Sequence, residues 1–148
     1  MRFRSSCGWV YGDVRLENIV LHRNGGDLYP YFCDFGLAGT IDSCVSRALG
    51  TFSPPEGLGL RGKRIAPSID SWAFGVVLFV LTHRPSDDVI EKFSFDNGGT
   101  SVLMAQHRLL QSLKEEDPVD ILIRALLDLD PLKRPSMAFV ARVLEELL

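Results

Sequence analysis

Cysteine is scarce in this 148-residue chain, which has only Cys7, Cys33 and Cys44. Their odd number and irregular spacing argue against a disulfide framework or a zinc site and for reduced thiols in an intracellular protein. Histidine is equally rare, and His22, His83 and His107 are scattered without a ligand pattern. Positive charge is not in excess: 16 Lys and Arg against 19 Asp and Glu leave a net charge of −3. No basic face marks nucleic acid as a partner. The longest apolar run, Trp72 to Leu81 (WAFGVVLFVL), is ten residues. A bilayer needs about 20, so no membrane span is expected and the run reads as a buried core helix. Met-Arg-Phe-Arg at the start is basic, but no apolar stretch follows it. A secretory signal is therefore not expected, which leaves the cytoplasm as the default location. Internal repeats and low-complexity tracts are missing as well.

What is present suits one compact domain. The chain is 46% apolar and 24% charged, enough for a real core and too short for two ordinary domains. Residues 14–21 (VRLENIVL) run from polar to apolar, residues 29–33 (YPYFC) are strand-like, and Arg23-Asn24-Gly25-Gly26-Asp27 between them is a strong turn signal. Together they predict a short β-hairpin. Gly36 to Pro67 is rich in Gly, Ser, Thr and Pro and reads as a long loop, a kind of segment that is usually functional or disordered. The rest is helical: one helix capped by Ser68 or Asp70 and running to about Leu81, then a mostly polar loop over 84–100. Helical spacing resumes over Val102–Leu113, over 119–129 behind Pro118, and over Ser136–Leu148.

Four motifs and a distinctive ending stand in order along this pattern. Tyr11-Gly12-Asp13-Val14-Arg15-Leu16-Glu17-Asn18 resembles the protein-kinase catalytic loop H-R-D-L-x-x-x-N, and Asp34-Phe35-Gly36 its metal-binding triplet. Pro54-Pro55-Glu56 resembles the A-P-E that closes the activation segment. Asp70-Ser71-Trp72-Ala73-Phe74-Gly75-Val76-Val77-Leu78 is similar to the helix that anchors the C-terminal lobe, and Leu126 to Ser136 (LLDLDPLKRPS) follows as in that family. A single triplet such as Asp-Phe-Gly occurs by chance; five features in order over residues 11–136 do not. The resemblance implies an α+β, mainly α fold: a protein-kinase C-lobe without its N-lobe. Over residues 1–148 it implies a partial kinase domain, with the catalytic loop at 11–18, the activation segment at 34–56 and a helical body at 68–148.

The resemblance also implies roles. Asp13 would accept the proton of a substrate hydroxyl, while Asn18 and Asp34 would hold Mg²⁺ against the phosphates of ATP. Arg15 stands where the family usually carries Lys and keeps a positive charge within reach of the γ-phosphate, although Arg and Lys differ in geometry. Val20, Val77 and Leu81 match apolar positions beneath the adenine ring and would be core in any case. Glu56 and Arg134 correspond to a structural salt bridge, and Asp70 to the aspartate that braces the catalytic-loop backbone.

Several positions depart from the pattern. Tyr11 replaces His, with a ring that can still pack on Phe35. Gly12 replaces the Arg that pairs with an activation-loop phosphate, which argues against that mode of switching. Thr40, Ser43, Ser46, Thr51 and Ser53 are candidate phosphosites, each more often an ordinary polar loop residue. Pro54 replaces Ala, and Gly50-Thr51 stands closer to Pro54 than the family's Gly-Thr does to its A-P-E. No Gly-rich loop, strand Lys or helix-C Glu precedes Tyr11, so these residues alone are expected to be inactive and to expose apolar surface for a covering partner.

The Asp-x-Arg-x-x-Asn loop with Glu17 is closer to the Ser/Thr than to the tyrosine pattern. The expected function is transfer of the ATP γ-phosphate to Ser or Thr hydroxyls of a protein substrate in the full-length context. A pseudokinase-like binding module is the alternative. A small-molecule phosphotransferase, suggested by Tyr-Gly-Asp, ranks lower because those enzymes lack the Pro-Pro-Glu segment and the Asp-x-Trp-x-Phe-Gly helix.

Overall fold

The computed structural model describes residues 8–41, 52–59, 66–93 and 99–147. A short strand, β1 (Trp9–Val10), leads into the loop at 11–18, which ends in a single 3₁₀ turn, Leu16–Asn18. The hairpin follows as β2 (Ile19–Asn24) and β3 (Asp27–Phe32), in antiparallel register from Ile19 opposite Phe32 to Asn24 opposite Asp27. That register leaves Gly25-Gly26 as a two-residue turn. Gly25 sits at φ +62°, the left-handed backbone that such turns require and glycine adopts at no steric cost. Pro30 is tolerated in β3 because the sheet has only two strands. β4 (Gly39–Thr40) pairs back onto β1, Trp9 opposite Thr40, and ties the chain after the hairpin to the chain before it.

The helical body is built on α1 (Ser68–His83), whose residues from Ile69 to Phe79 are buried apart from Phe74. Burial on nearly every side explains why its sequence is apolar all round and not striped. The helix stops at Arg84, which turns left-handed (φ 48°) and donates its N–H to the Val80 carbonyl. A short α2 (Asp87–Glu91), then α3 (Gly99–Ser112), α4 (Pro118–Leu126) and α5 (Met137–Leu147) complete the body. α3 turns Val102, Ala105, Gln106 and Leu109 inward, at helical spacing. Pro118 opens α4, and the Asp117 carboxylate caps it by accepting from the N–H groups of Val119 and Asp120.

α4 lies against α1 at Gly75. A Cβ built there would stand 2.8 Å from the Leu126 Cβ and 3.1 Å from the Leu127 Cδ2. The first of these atoms sits next to backbone and cannot swing aside. Gly75→Ala is therefore expected to lower stability by about 1–3 kcal/mol through overpacking, although Ala is the better helix former. A fall in the urea midpoint would show it; an unchanged or raised midpoint would mean that the two helices separate at little cost.

Local expectations fail in four places. Neither Ser68 nor Asp70 caps α1: its N-cap is Pro67, with no side-chain cap, and Asp70 is engaged elsewhere. The helix expected over 119–129 ends at Leu126, because Asp128 and Asp130 each take the N–H two residues ahead and form turns. The region expected to be a polar loop over 84–100 contains α2 and the first two residues of α3. The loop from Gly36 to Pro67 includes β4 and a 3₁₀ turn at Pro55–Gly59.

Candidate active site

The loop at 11–18 is fixed from beneath. Val10, Tyr11 and Val14 are buried in the core. The Asp70 carboxylate, on the first turn of α1, accepts the N–H of Tyr11 and that of Gly12, each at 2.8 Å. Burial pushes the Asp70 carboxyl above the usual carboxylate range, and the two N–H donors oppose that shift. Two backbone amides about 60 residues away in sequence thus take up a side chain that local pattern assigns to a helix cap.

Gly12 adopts φ +85°, and a Cβ there would stand 3.0 Å from the carbonyl oxygen of Leu37. Any side chain at this position would be both strained and crowded. Tyr11 donates its hydroxyl to the Cys33 carbonyl and packs edge-on against Phe35, ring centroids 5.4 Å apart, as the sequence suggested. Burial, reinforced by Asp13, Cys33 and Asp34 nearby, pushes the Tyr11 phenol up to about 12.

Asp13 and Asn18 meet across the loop. The Asn18 amide donates to the Asp13 carboxylate at 2.7 Å and to the Asp13 carbonyl at 3.0 Å. The Asn18 carbonyl in turn accepts the N–H of Cys33 at 2.9 Å, which brings the next residue, Asp34, to the same end of the hairpin. Asp34 is exposed and left-handed (φ 56°), and its carboxylate accepts the Gly36 N–H at 3.0 Å. Asp tolerates this backbone better than most residues through such a local bond. Strained positions of this kind cluster at functional sites.

Arg15 pairs with Glu17. Val20, on β2, is half exposed, and Leu81 is exposed near the end of α1, whereas Val77 is fully buried in the core. Thr40 is exposed on β4, but Ser53 is buried, which removes it as an accessible phosphosite. Ser43, Ser46, Gly50 and Thr51 lie outside the described residues, as do Cys7 and Cys44.

The Pro-Pro-Glu segment is clamped to the helical body. Arg134 donates from both terminal nitrogens to the two Glu56 carboxylate oxygens, with Nη2 to Oε2 at 2.9 Å. It also donates to the carbonyls of Asp128 and Ser68, and its guanidinium lies 4.9 Å over the Trp72 ring. A cleft of about 300 Å³ opens beside this clamp, between Trp9, Pro67, Asp70, Arg134 and Met137; neither Asp13 nor Asp34 lines it. Sequence reasoning anticipated the clamp and the Asp70 brace through the family resemblance. It missed the Asp13–Asn18 bond, the Tyr11–Cys33 bond and the Arg15–Glu17 pair. Only the last had a visible signal: opposite charges two residues apart, flanking the apolar Leu16.

A loop carrying Asp and Asn, an Asp-Phe-Gly turn at the same end of the hairpin and a Glu–Arg clamp on the helical body make up the candidate site. The family model described as "Protein kinase domain" matches residues 1–145, and the chain belongs to that family of eukaryotic-type protein kinases. Serine/threonine-protein kinase PkaA of Streptomyces coelicolor is 28% identical over 91% of this chain. Protein kinase kin1 of Schizosaccharomyces pombe is 32% identical over 86% of it, and NUAK family SNF1-like kinase 2 of Homo sapiens 33% over 89%. The chain spans 25%, 14% and 20% of the lengths of these three relatives. Among the described residues, no helix is long and apolar enough to cross a membrane.

Proposed function

We propose that this chain is the C-lobe of a protein serine/threonine kinase, and that within the full-length protein it directs transfer of the ATP γ-phosphate to Ser or Thr hydroxyls of a protein substrate. The observation that carries the reading is the junction of loop and hairpin, where Asn18 holds the Asp13 carboxylate by its side chain and the strand leading to Asp34 by its carbonyl. The roles follow from that arrangement. The Asp13 carboxylate takes the proton of the attacking hydroxyl, and the Asn18 amide fixes the direction in which it points. Arg15 offsets charge on the transferred phosphate. Val20 and Leu81 are apolar surface for the adenine ring.

The donor set suits magnesium. The Asn18 side-chain oxygen and the Asp34 carboxylate are hard ligands, and Mg²⁺ is commonly held by one or two such groups together with substrate phosphates. Bound there, Mg²⁺ would neutralise phosphate charge during transfer. Val20, Tyr29 and Tyr31, half exposed on one face of the hairpin, fit a surface covered by nucleotide and an N-terminal lobe in the full-length protein.

Calorimetric titration of the full-length protein with Mg·ATP tests the reading. Binding is expected in the wild type and a loss of at least about tenfold in Asp34→Ala, since losing even a partner that only orients a metal ligand costs that much. Wild-type protein that ignores Mg·ATP but retains a protein partner would favour a catalytically silent binding module.

A further inference from the structure

The loop at 11–18 alternates between core and solvent. Val14 is buried and Leu16 packs against the core cluster, so the side chains of Arg15 and Glu17 emerge on either side of Leu16. Arg15 is fully extended (φ −157°, ψ 159°), and the chain turns immediately after it. This shape brings the two side chains together: the Arg15 Nε donates to the Glu17 Oε2 at 3.1 Å. The contact draws Arg15 upward and Glu17 downward from their ordinary pKa values, and Asp13 adds a smaller attraction on Arg15.

The donor is the important detail. A Lys has no nitrogen partway along its stem; only the guanidinium fork offers Nε sideways while it carries two further nitrogens at its tip. Arg where the family usually has Lys, and Glu two residues on, therefore act as one unit. Glu17 takes Nε, and a phosphate bound in bidentate fashion along the Nε–Nη edge needs the same nitrogen, so the two anions compete for that edge. Glu17 is solvent-exposed, with 66% of its side chain accessible, and Arg15 partly so, at 30%. An exposed pair is weak, and a phosphate bearing more charge can displace the carboxylate.

We propose that Glu17 is a latch on Arg15, whose guanidinium it occupies until an incoming phosphate takes its place. The proposal rests on the kinase reading of this site. Glu17 is a positioning residue in this scheme: it sets the threshold for engaging the nucleotide and takes no part in the chemistry.

The test is a double-mutant cycle on Mg·ATP affinity in the full-length protein, with Glu17→Gln, Arg15→Gln and the double variant. Glu17→Gln alone is expected to tighten binding by about two- to fivefold, the scale of an exposed ion pair. The gain should shrink as salt is raised, and it should vanish when Arg15→Gln is already in place. If Mg·ATP binds in an Asp34-dependent way while Glu17→Gln leaves affinity unchanged or weaker, the latch is wrong and the kinase reading stands. An equal gain with and without Arg15 also overturns it, because the effect is then general charge and not release of Arg15. Failure of wild type and Glu17→Gln alike to bind Mg·ATP would remove the kinase reading and the latch together.

Discussion

Asp13→Asn is expected to lower phosphotransfer by the full-length protein by about 10²–10⁴-fold, the usual worth of a positioned general base. Mg·ATP affinity should change little, because Asn18 and Asp34, the proposed metal ligands, are untouched. The substitution is nearly isosteric, and the Asn18 amide can still donate to the remaining carbonyl oxygen, so the loop should keep its shape. What is lost is the proton acceptor. The same conclusion would not follow from Asp13→Ala, which also removes the acceptor of the 2.7 Å bond from Asn18 and would disturb a metal ligand. A loss in kcat without a rise in KM is the signature of a group acting only in the transition state. Full activity in Asp13→Asn would remove Asp13 from the chemistry.

The largest stability effect is expected from Glu56→Ala, at about 3–5 kcal/mol. The asymmetry of the clamp decides this. The Arg134 side chain is 0% exposed, whereas that of Glu56 is 28% exposed. Removing Glu56 leaves a buried guanidinium without its counter-charge, held by two carbonyls and the Trp72 face. Removing Arg134 leaves a carboxylate that water can reach. Arg134→Met, which fills the buried space with apolar volume, is therefore expected to cost less than Glu56→Ala. Chemical denaturation of both variants measures the order. Equal or reversed costs would show that Arg134 acts mainly through its bonds to the Asp128 and Ser68 carbonyls.

Much of this architecture was legible because the signals were local. The hairpin announced itself through Gly25-Gly26 between two strand-like runs. α1 did so through a continuous apolar stretch, and α4 through Pro118 ahead of a helical stripe. Other features depend on partners far away in sequence. β4 is two residues of Gly and Thr that exist as a strand only because Trp9 and Val10 lie beside them. Asp70 looks like a helix cap until the Tyr11 and Gly12 amides take its oxygens. Leu127 to Leu129 continue the apolar pattern of α4, yet Leu127 is buried outside the helix and Leu129 points to solvent. There the turn preference of Asp128 and Asp130 overrides periodicity.

The site divides in the same way. Motif order picked out Asp13, Asn18 and Asp34 one by one, and the family resemblance implied proton transfer for the first and magnesium for the other two. The bonds that join them were not legible, because they depend on a 3₁₀ turn and on the approach of Cys33 to Asn18. The Arg15–Glu17 pair was written in the sequence as two opposite charges, but only the extended backbone at Arg15 makes them partners.

We propose that residues 11–18 are the phosphotransfer loop of a serine/threonine kinase. The most direct measurement is phosphoamino-acid analysis of a mixed protein substrate after incubation of the full-length protein with Mg²⁺ and γ-labelled ATP, run beside Asp13→Asn. Label on serine and threonine that disappears with Asp13→Asn is the predicted result. Label confined to tyrosine, label that survives the substitution, or no transfer at all would contradict the account.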